Sequence, residues 1–329
     1  MKDIYIGNTD QRWFEFCKDK SPLSEVNFWQ PSRQHFKAID EGGIFFFRRK
    51  APINKIAGFG ILASSGTISI GQAWRDLGIS NGVNDEEHFI ELIRKYRKGK
   101  ITDEFSQIGF KILINPVFLD ERDWFDLPKD WSKNIVTGKS YSVNSSAGLR
   151  LVQKFQRLNP SANEFENDKY SFEGLAEAPF AGFSHTSAKQ KIRMGQNAFR
   201  VSVLTAYECT CAVTGTSVES ALEAAHILKF ANHPDHSINN GILLRKDIHA
   251  LFDRFLLTIT EDYKISVNHR LRELYPDSAE YLSLDGKLIS LPKEKIKYPS
   301  KNKILKRNIE HSLGGSFYPP LPAGPPKGG

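Results

Sequence analysis

Three polar residues at set intervals constrain this chain most: His226, Asn240 fourteen residues later, and His249 nine residues after that. They lie between Tyr207 and Ile259, where apolar runs flank a stretch rich in Asn, Pro and His. The pattern predicts a hairpin that includes Cys211 to Thr214 and ends at Glu223 to Ile227, then a loop, then a helix from about Lys246 to Leu256. On that helix Ile248, Leu251, Phe252 and Phe255 anchor it to a core, while His249 and Asp253, four apart, project from one face.

Each side chain also has an ordinary reading. A strand histidine is more often scaffolding, Asn-Gly is more often a plain turn, and a helical His and Asp pair is more often a solvated face. The joint spacing favours a chemical device instead. Hydrolysis of a phosphodiester needs a base for water, a cation for the charge on the pentavalent phosphorus, and rigid placement of both. His226, at the end of an apolar strand, can accept a proton near neutral pH as general base. Asn240, ahead of Gly241 and the strand-like ILL, can bond the loop backbone and orient the base. His249 and Asp253 can converge on one divalent ion.

The rest of the chain sets the frame. At 329 residues two domains are expected, and 40% hydrophobic with 25% charged residues are the proportions of a globular protein. The net charge of +7 permits phosphate binding without requiring it. Cys17, Cys209 and Cys211 are too few, and the last two too close, to suggest an oxidising compartment. No run is long enough to span a bilayer and MKDIYIGNTDQ is no export signal, so a cytoplasmic protein with no membrane partner is expected.

The fold class expected is α+β. Residues 1–142 read as short strands, clearest at Gly42 to Lys50, Lys55 to Ser64 and Ile108 to Leu119, forming a small barrel with a helix over Asp85 to Lys98. Residues 143–192 read as a linker with a helix around Gly148 to Leu158, 193–313 as a second domain opened by a helix over Gly195 to Tyr207, and 314–329 as a disordered Pro/Gly tail.

The segment from about Arg193 to Ile259 resembles the HNH endonucleases. The residues that carry the likeness are Ala225-His226-Ile227, Asn240 to Leu244 and His249 to Asp253, with the lead-in GQNAFRVSVLTAY and Cys211 to Gly215. The resemblance implies a ββα-metal fold in which His226 is the general base, Asn240 orients and His249 binds a divalent ion, Mg²⁺ or Mn²⁺ first and Co²⁺ or Ni²⁺ after them. Two departures stand out. Many relatives carry a ligand directly before the base, where this chain has Ala225, so the second ligand is left to Asp253 or Glu223. Cys209 and Cys211 have no second pair downstream, so no structural zinc is expected and both read as small apolar hairpin residues.

In the front half, aromatic and basic residues interleave: FWQPS (Phe28 to Ser32), FFFRRK, Trp74, Trp124, Trp131 and Tyr141. Such a set can be core, or it can stack on an extruded base while Arg48, Arg49 and Lys50 hold phosphates. FWQPS, GGIFFFRRKAP, IAGFGIL, a central helix, DW and GKSY resemble an EVE-type domain of the PUA superfamily over residues 22–142. EVE domains ahead of HNH domains are similar to modification-dependent restriction enzymes. That resemblance implies a sensor that flips 5-methylcytosine or 5-hydroxymethylcytosine into a pocket, with Trp29, Pro31, Trp74 and Tyr141 as its candidates and Trp124 in reserve. The implied partner is double-stranded, cytosine-modified DNA, with a homodimer possible for double-strand cutting. Two other readings stay open: a nuclease that reads unmodified DNA or RNA, and a non-catalytic nucleic-acid-binding protein with a degenerate HNH fold.

Overall fold

The computed structural model describes residues 3–98, 100–132, 134–159, 196–229 and 235–313, and its chain divides into two units, Met1–Thr205 and Ala206–Gly329. The expected tail and most of the expected linker lie outside the described residues.

In the first unit β1 (Ile4–Thr9), β2 (Glu25–Asn27), β3 (Ile44–Arg49), β4 (Lys55–Ser69), β5 (Gln107–Phe118), β6 (Phe125–Asp126) and β7 (Gly138–Tyr141) form one sheet. Its order is β2-β5-β4-β3-β1-β7, with β6 on β4. β1 and β3 are parallel and the remaining pairs antiparallel. Among the described residues the helices α1 (Gln11–Asp19), α2 (Ile70–Leu77), α3 (Glu86–Tyr96), α4 (Ser146–Leu158) and α5 (Gln196–Ala206) accompany the sheet. Asp10, Ser69, Asp85 and Ser145 each cap one of the first four by accepting a first-turn N–H, at 2.8–3.2 Å.

The run IFFFRR has no polar face because helices cover both sides of β3. Side chains alternate along a strand. Ile44 and Phe46 therefore join Ile4, Ile6, Phe59 and, from α4, Leu151 and Phe155. Phe45 and Phe47 join Trp13 and Phe14 of α1 on the other side. A third cluster gathers Ile68 and Phe110 with Ala73 of α2, Phe89 and Ile93 of α3, and Ala198 and Val201 of α5. At Gly58 the chains approach so closely that a Cβ would lie 2.4 Å from the Val117 carbonyl, so only glycine fits there.

The sheet ends at β2 and β7, and no pairing joins these two edges among the described residues. Strand periodicity reports which face is buried, and closure depends on a pairing it does not encode. α5 sends Ala198 and Val201 into the first unit's core, and its Ala198 N–H donates to Glu25 Oε2 at 3.1 Å.

The second unit contains β8 (Leu222–His226), β9 (Gly241–Arg245), α6 (Lys246–Asp253), β10 (Leu257–Ile259), β11 (Ile265–Val267), α7 (Arg270–Leu274), α8 (Ala279–Leu282) and α9 (Lys301–Leu313). β8 pairs with β9 and β10 with β11, both antiparallel. No helix among the described residues is long and apolar enough to cross a membrane.

Glu25 yields a pH prediction. Burial pushes its carboxyl up to about 7, outweighing the hydrogen bonds from Ala198 and Asn197. Between its ordinary 4.5 and about 7 the folded chain binds more protons than the unfolded one, so stability falls as pH rises through that window. Glu25→Gln is expected to flatten the slope, read by chemical denaturation at pH 5 and pH 7.5.

Candidate active site

The hairpin that carries the site pairs His226 with Gly241, Ala225 with Ile242 and Glu223 with Leu244. The expected partner strand, Cys211 to Thr214, is instead a turn. Gly215 N–H bonds Cys211 O, and Ala212 N–H reaches Leu243 O on the outer side of β9. Cys211 is buried with its Sγ accepting from Thr214 N–H at 3.4 Å and Arg245 N–H at 3.2 Å, so it fastens the turn to the end of β9. α6 packs directly after β9 through Ile248 and Phe252, both buried.

Asn240 has no exposed surface. Its Oδ1 accepts from Leu228 N–H at 3.0 Å, and its Nδ2 donates to Asp235 O at 2.9 Å and Leu228 O at 3.3 Å. Its own carbonyl accepts from Ile227 N–H at 2.8 Å. The residue therefore pins the two backbone units that follow His226 to the end of the same loop.

His226 Nε2 faces His236 Nδ1 at 3.1 Å. Burial pushes the His226 imidazole down to about 4, helped by His236 and His249 and opposed by Asp235. Its ring is neutral at physiological pH and can accept a proton. Burial raises the Asp235 carboxyl, but bonds from Lys303 and Ser237 outweigh it and hold the group below the usual range, with Lys303 Nζ at 2.5 Å. Lys303 also reaches Ser237 Oγ and Asn239 Oδ1 at 2.7 and 2.6 Å.

On α6, His249 lies between two carboxylates. Nδ1 is 2.8 Å from Glu223 Oε2 and Nε2 is 3.5 Å from Asp253 Oδ2. Glu223 can accept a hydrogen bond from Nδ1–H and so leave the Nε2 lone pair toward Asp253. Two atoms bound to one ion at about 2.1 Å lie roughly 3 Å apart, close to the Nε2 to Oδ2 spacing. Nitrogen and oxygen donors suit a small divalent ion, whose remaining positions water and phosphate oxygens would fill. No cluster of three His, Cys, Asp or Glu side chains with metal-holding geometry occurs among the described residues. Ala225 is fully buried, so the position before the base is turned into the core.

The structure thus brings His249 and both candidate partners, Asp253 and Glu223, together. The sequence reading missed His236, Asp235, Lys303 and Arg307. None carries a periodic mark, and a His two residues past Pro234 is the only local signal.

The first-unit candidates separate. Trp29 and Trp74 share the cluster around Phe89, at ring distances of 5.5 and 6.5 Å, and Trp29 Nε1 donates to Asn81 O at 2.9 Å. Pro31 lends its carbonyl to Arg97 at 2.8 Å. Tyr141 is buried in a different cluster, with Trp124 and Trp131 beside it, and lines a cavity of about 480 Å³ together with Asp130, Lys139 and Arg150. Of the three cations expected to hold phosphates, Arg48 and Arg49 are buried because β3 is internal. Arg48 bonds Asn8 and Asn54 and lies over Trp131, while Arg49 pairs with Glu15 at 3.1 Å and lies over Phe14 and Trp124. Lys50 is exposed.

Residues 211–260 match the family model of the HNH endonucleases, so the hairpin and helix that carry His226, Asn240 and His249 form an HNH endonuclease domain. No curated protein matches the chain in sequence. Solved structures of an ASCH protein from Zymomonas mobilis, in mutant and unsubstituted form, align with a TM-score of 0.31 at 11% identity. They cover 46% and 47% of this chain and 98% and 95% of theirs. A likeness at that level fixes neither the fold nor the activity of this chain.

Asn240→Ala would strand the Leu228 N–H and two carbonyls in the interior. We expect a loss of about 2–3 kcal/mol in unfolding free energy, measured by denaturant titration.

Proposed function

We propose that the chain is a metal-dependent DNA endonuclease, and that its front unit selects cytosine-modified DNA. The observation that carries the first half is the coincidence of the HNH match with one compact arrangement: a neutral, half-buried His226, an Asn240 that fixes the loop behind it, and His249 beside Asp253.

In this reading His226 takes a proton from water as the water attacks phosphorus. Its neutral ring is ready for that step, and the pinned backbone after it keeps its direction. Asn240 does the pinning. Glu223 holds the tautomer of His249, so that Nε2 and the Asp253 carboxylate present one face to a divalent ion. That ion, when bound, supplies charge for the phosphorane and the leaving oxygen. His226→Ala is expected to lower the single-turnover cleavage rate by about 10²–10⁴-fold while DNA affinity is kept, tested on plasmid with Mg²⁺ or Mn²⁺. Cleavage at the wild-type rate would contradict the assignment.

Modification dependence rests on the sequence resemblance of residues 22–142 to EVE-type domains, with Trp29, Pro31, Trp74 and Tyr141 as pocket candidates and Lys50 as a phosphate contact. Trp29 and Trp74 share one cluster and Tyr141 lies in another, so the full set of four is not gathered around one pocket. Matched plasmids carrying cytosine, 5-methylcytosine or 5-hydroxymethylcytosine should be cut at different rates, and equal rates on all three would remove the sensor from this reading. A non-catalytic DNA-binding protein is the second reading, favoured by the buried Ala225 where many relatives place a ligand. It predicts binding without cleavage across divalent metals.

A further inference from the structure

The last helix, α9, sends a guanidinium into the interior of the second unit. Arg307 is 3% exposed. Its Nη1 donates to Ile227 O at 3.1 Å and its Nη2 to Phe252 O at 2.5 Å. The guanidinium carbon lies 3.9 Å from the centre of the Phe252 ring and 4.2 Å from that of Phe255. Ile227 is the residue after His226, and Phe252 is the residue before Asp253.

This is a costly place for an arginine. Burial lowers its pKa to about 10, its Nε has no hydrogen-bond partner, and its two acceptors are backbone carbonyls rather than a carboxylate. The Asp253 carboxylate is close enough to act on it electrostatically, in the opposite sense to burial. An apolar side chain could fill the space without that cost. What arginine adds is a planar fork of fixed span, with donors that meet two acceptors at once. α9 does not need Arg307 alone to stay docked: Ile304 is buried, Asn308 donates to Ile259 O at 3.0 Å, and His311 stacks on Phe255 at 3.8 Å.

We propose that Arg307 is a positioning residue of the active centre: its fork spans the carbonyl after the base and the carbonyl before the metal-binding aspartate, and so sets the distance between them. β8 ends at His226 and α6 ends at Asp253, and the hairpin register alone leaves the relative placement of those two ends free to shift. Arg307 removes that freedom. The inference rests on the endonuclease reading above.

Arg307→Lys keeps the charge but reaches one carbonyl at a time, and Arg307→Met keeps the length without either donor. Four quantities decide: melting temperature, DNA affinity, the single-turnover cleavage constant per folded molecule, and Mn²⁺ affinity of the DNA-free protein by electron paramagnetic resonance. Both variants are expected to fold and to bind DNA and Mn²⁺ normally, because His249 and Asp253 remain together on α6. In both, the cleavage constant should fall by about a hundredfold, the cost of roughly 1 Å of misplacement. A constant within about threefold of wild type in both variants would overturn the proposal. So would a loss confined to Arg307→Met, which would make charge rather than span the reason, and so would failure of both variants to fold, which would make Arg307 scaffold. A wild-type chain that never cuts overturns the endonuclease reading first, and this inference with it.

Discussion

The second unit depends on one carboxamide. Asn240 bonds the backbone of Leu228 through both its N–H and its C=O, and its own carbonyl takes the Ile227 N–H. The chain therefore leaves β8 and re-enters β9 at one place, and the loop between is free to carry His236 and Asp235 to the side of His226. Without that closure the pairing of His226 with Gly241 would be the end of an ordinary hairpin. With it, the end of the hairpin becomes a fixed point against which α6 sets His249.

Electrostatics then divides the labour among similar side chains. His226 and His249 differ in environment rather than chemistry. One is half-buried against His236 and held neutral, while the other is flanked by Glu223 and Asp253. A neutral imidazole keeps a lone pair open to a proton, and an imidazole between carboxylates is suited to facing a cation. Asp235, paired with Lys303, acts on His226 in the opposite sense to burial and His236.

Much of this centre was legible from spacing. His226, Asn240, His249 and Asp253 all fall where a hairpin, a loop and a helix put them, and His249 with Asp253 lie on one helical face as their four-residue interval requires. The strand partner was misread because Cys211 to Thr214 is as apolar as GILLR, and periodicity cannot distinguish a buried turn from a strand. Arg48 and Arg49 were read within a strand but as phosphate contacts. The strand lies inside a sheet covered on both sides, which periodicity alone does not show, and both cations carry internal partners. Lys303 and Arg307 were invisible because their meaning comes from positions far away in sequence, the Arg307 to Ile227 bond spanning 80 residues. The unjoined edges of the sheet were illegible for a related reason: alternation reports burial, and edge pairing is decided elsewhere.

The central claim is that one divalent ion binds to His249 and Asp253 while His226 stays free as the base. Electron spin echo modulation of Mn²⁺ on the DNA-free protein tests it directly, by counting coordinated imidazole nitrogens. The account predicts coupling from one imidazole, lost in His249→Ala and kept in His226→Ala. Coupling that disappears with His226 instead, or that is absent from the wild-type protein at saturating Mn²⁺, would contradict it.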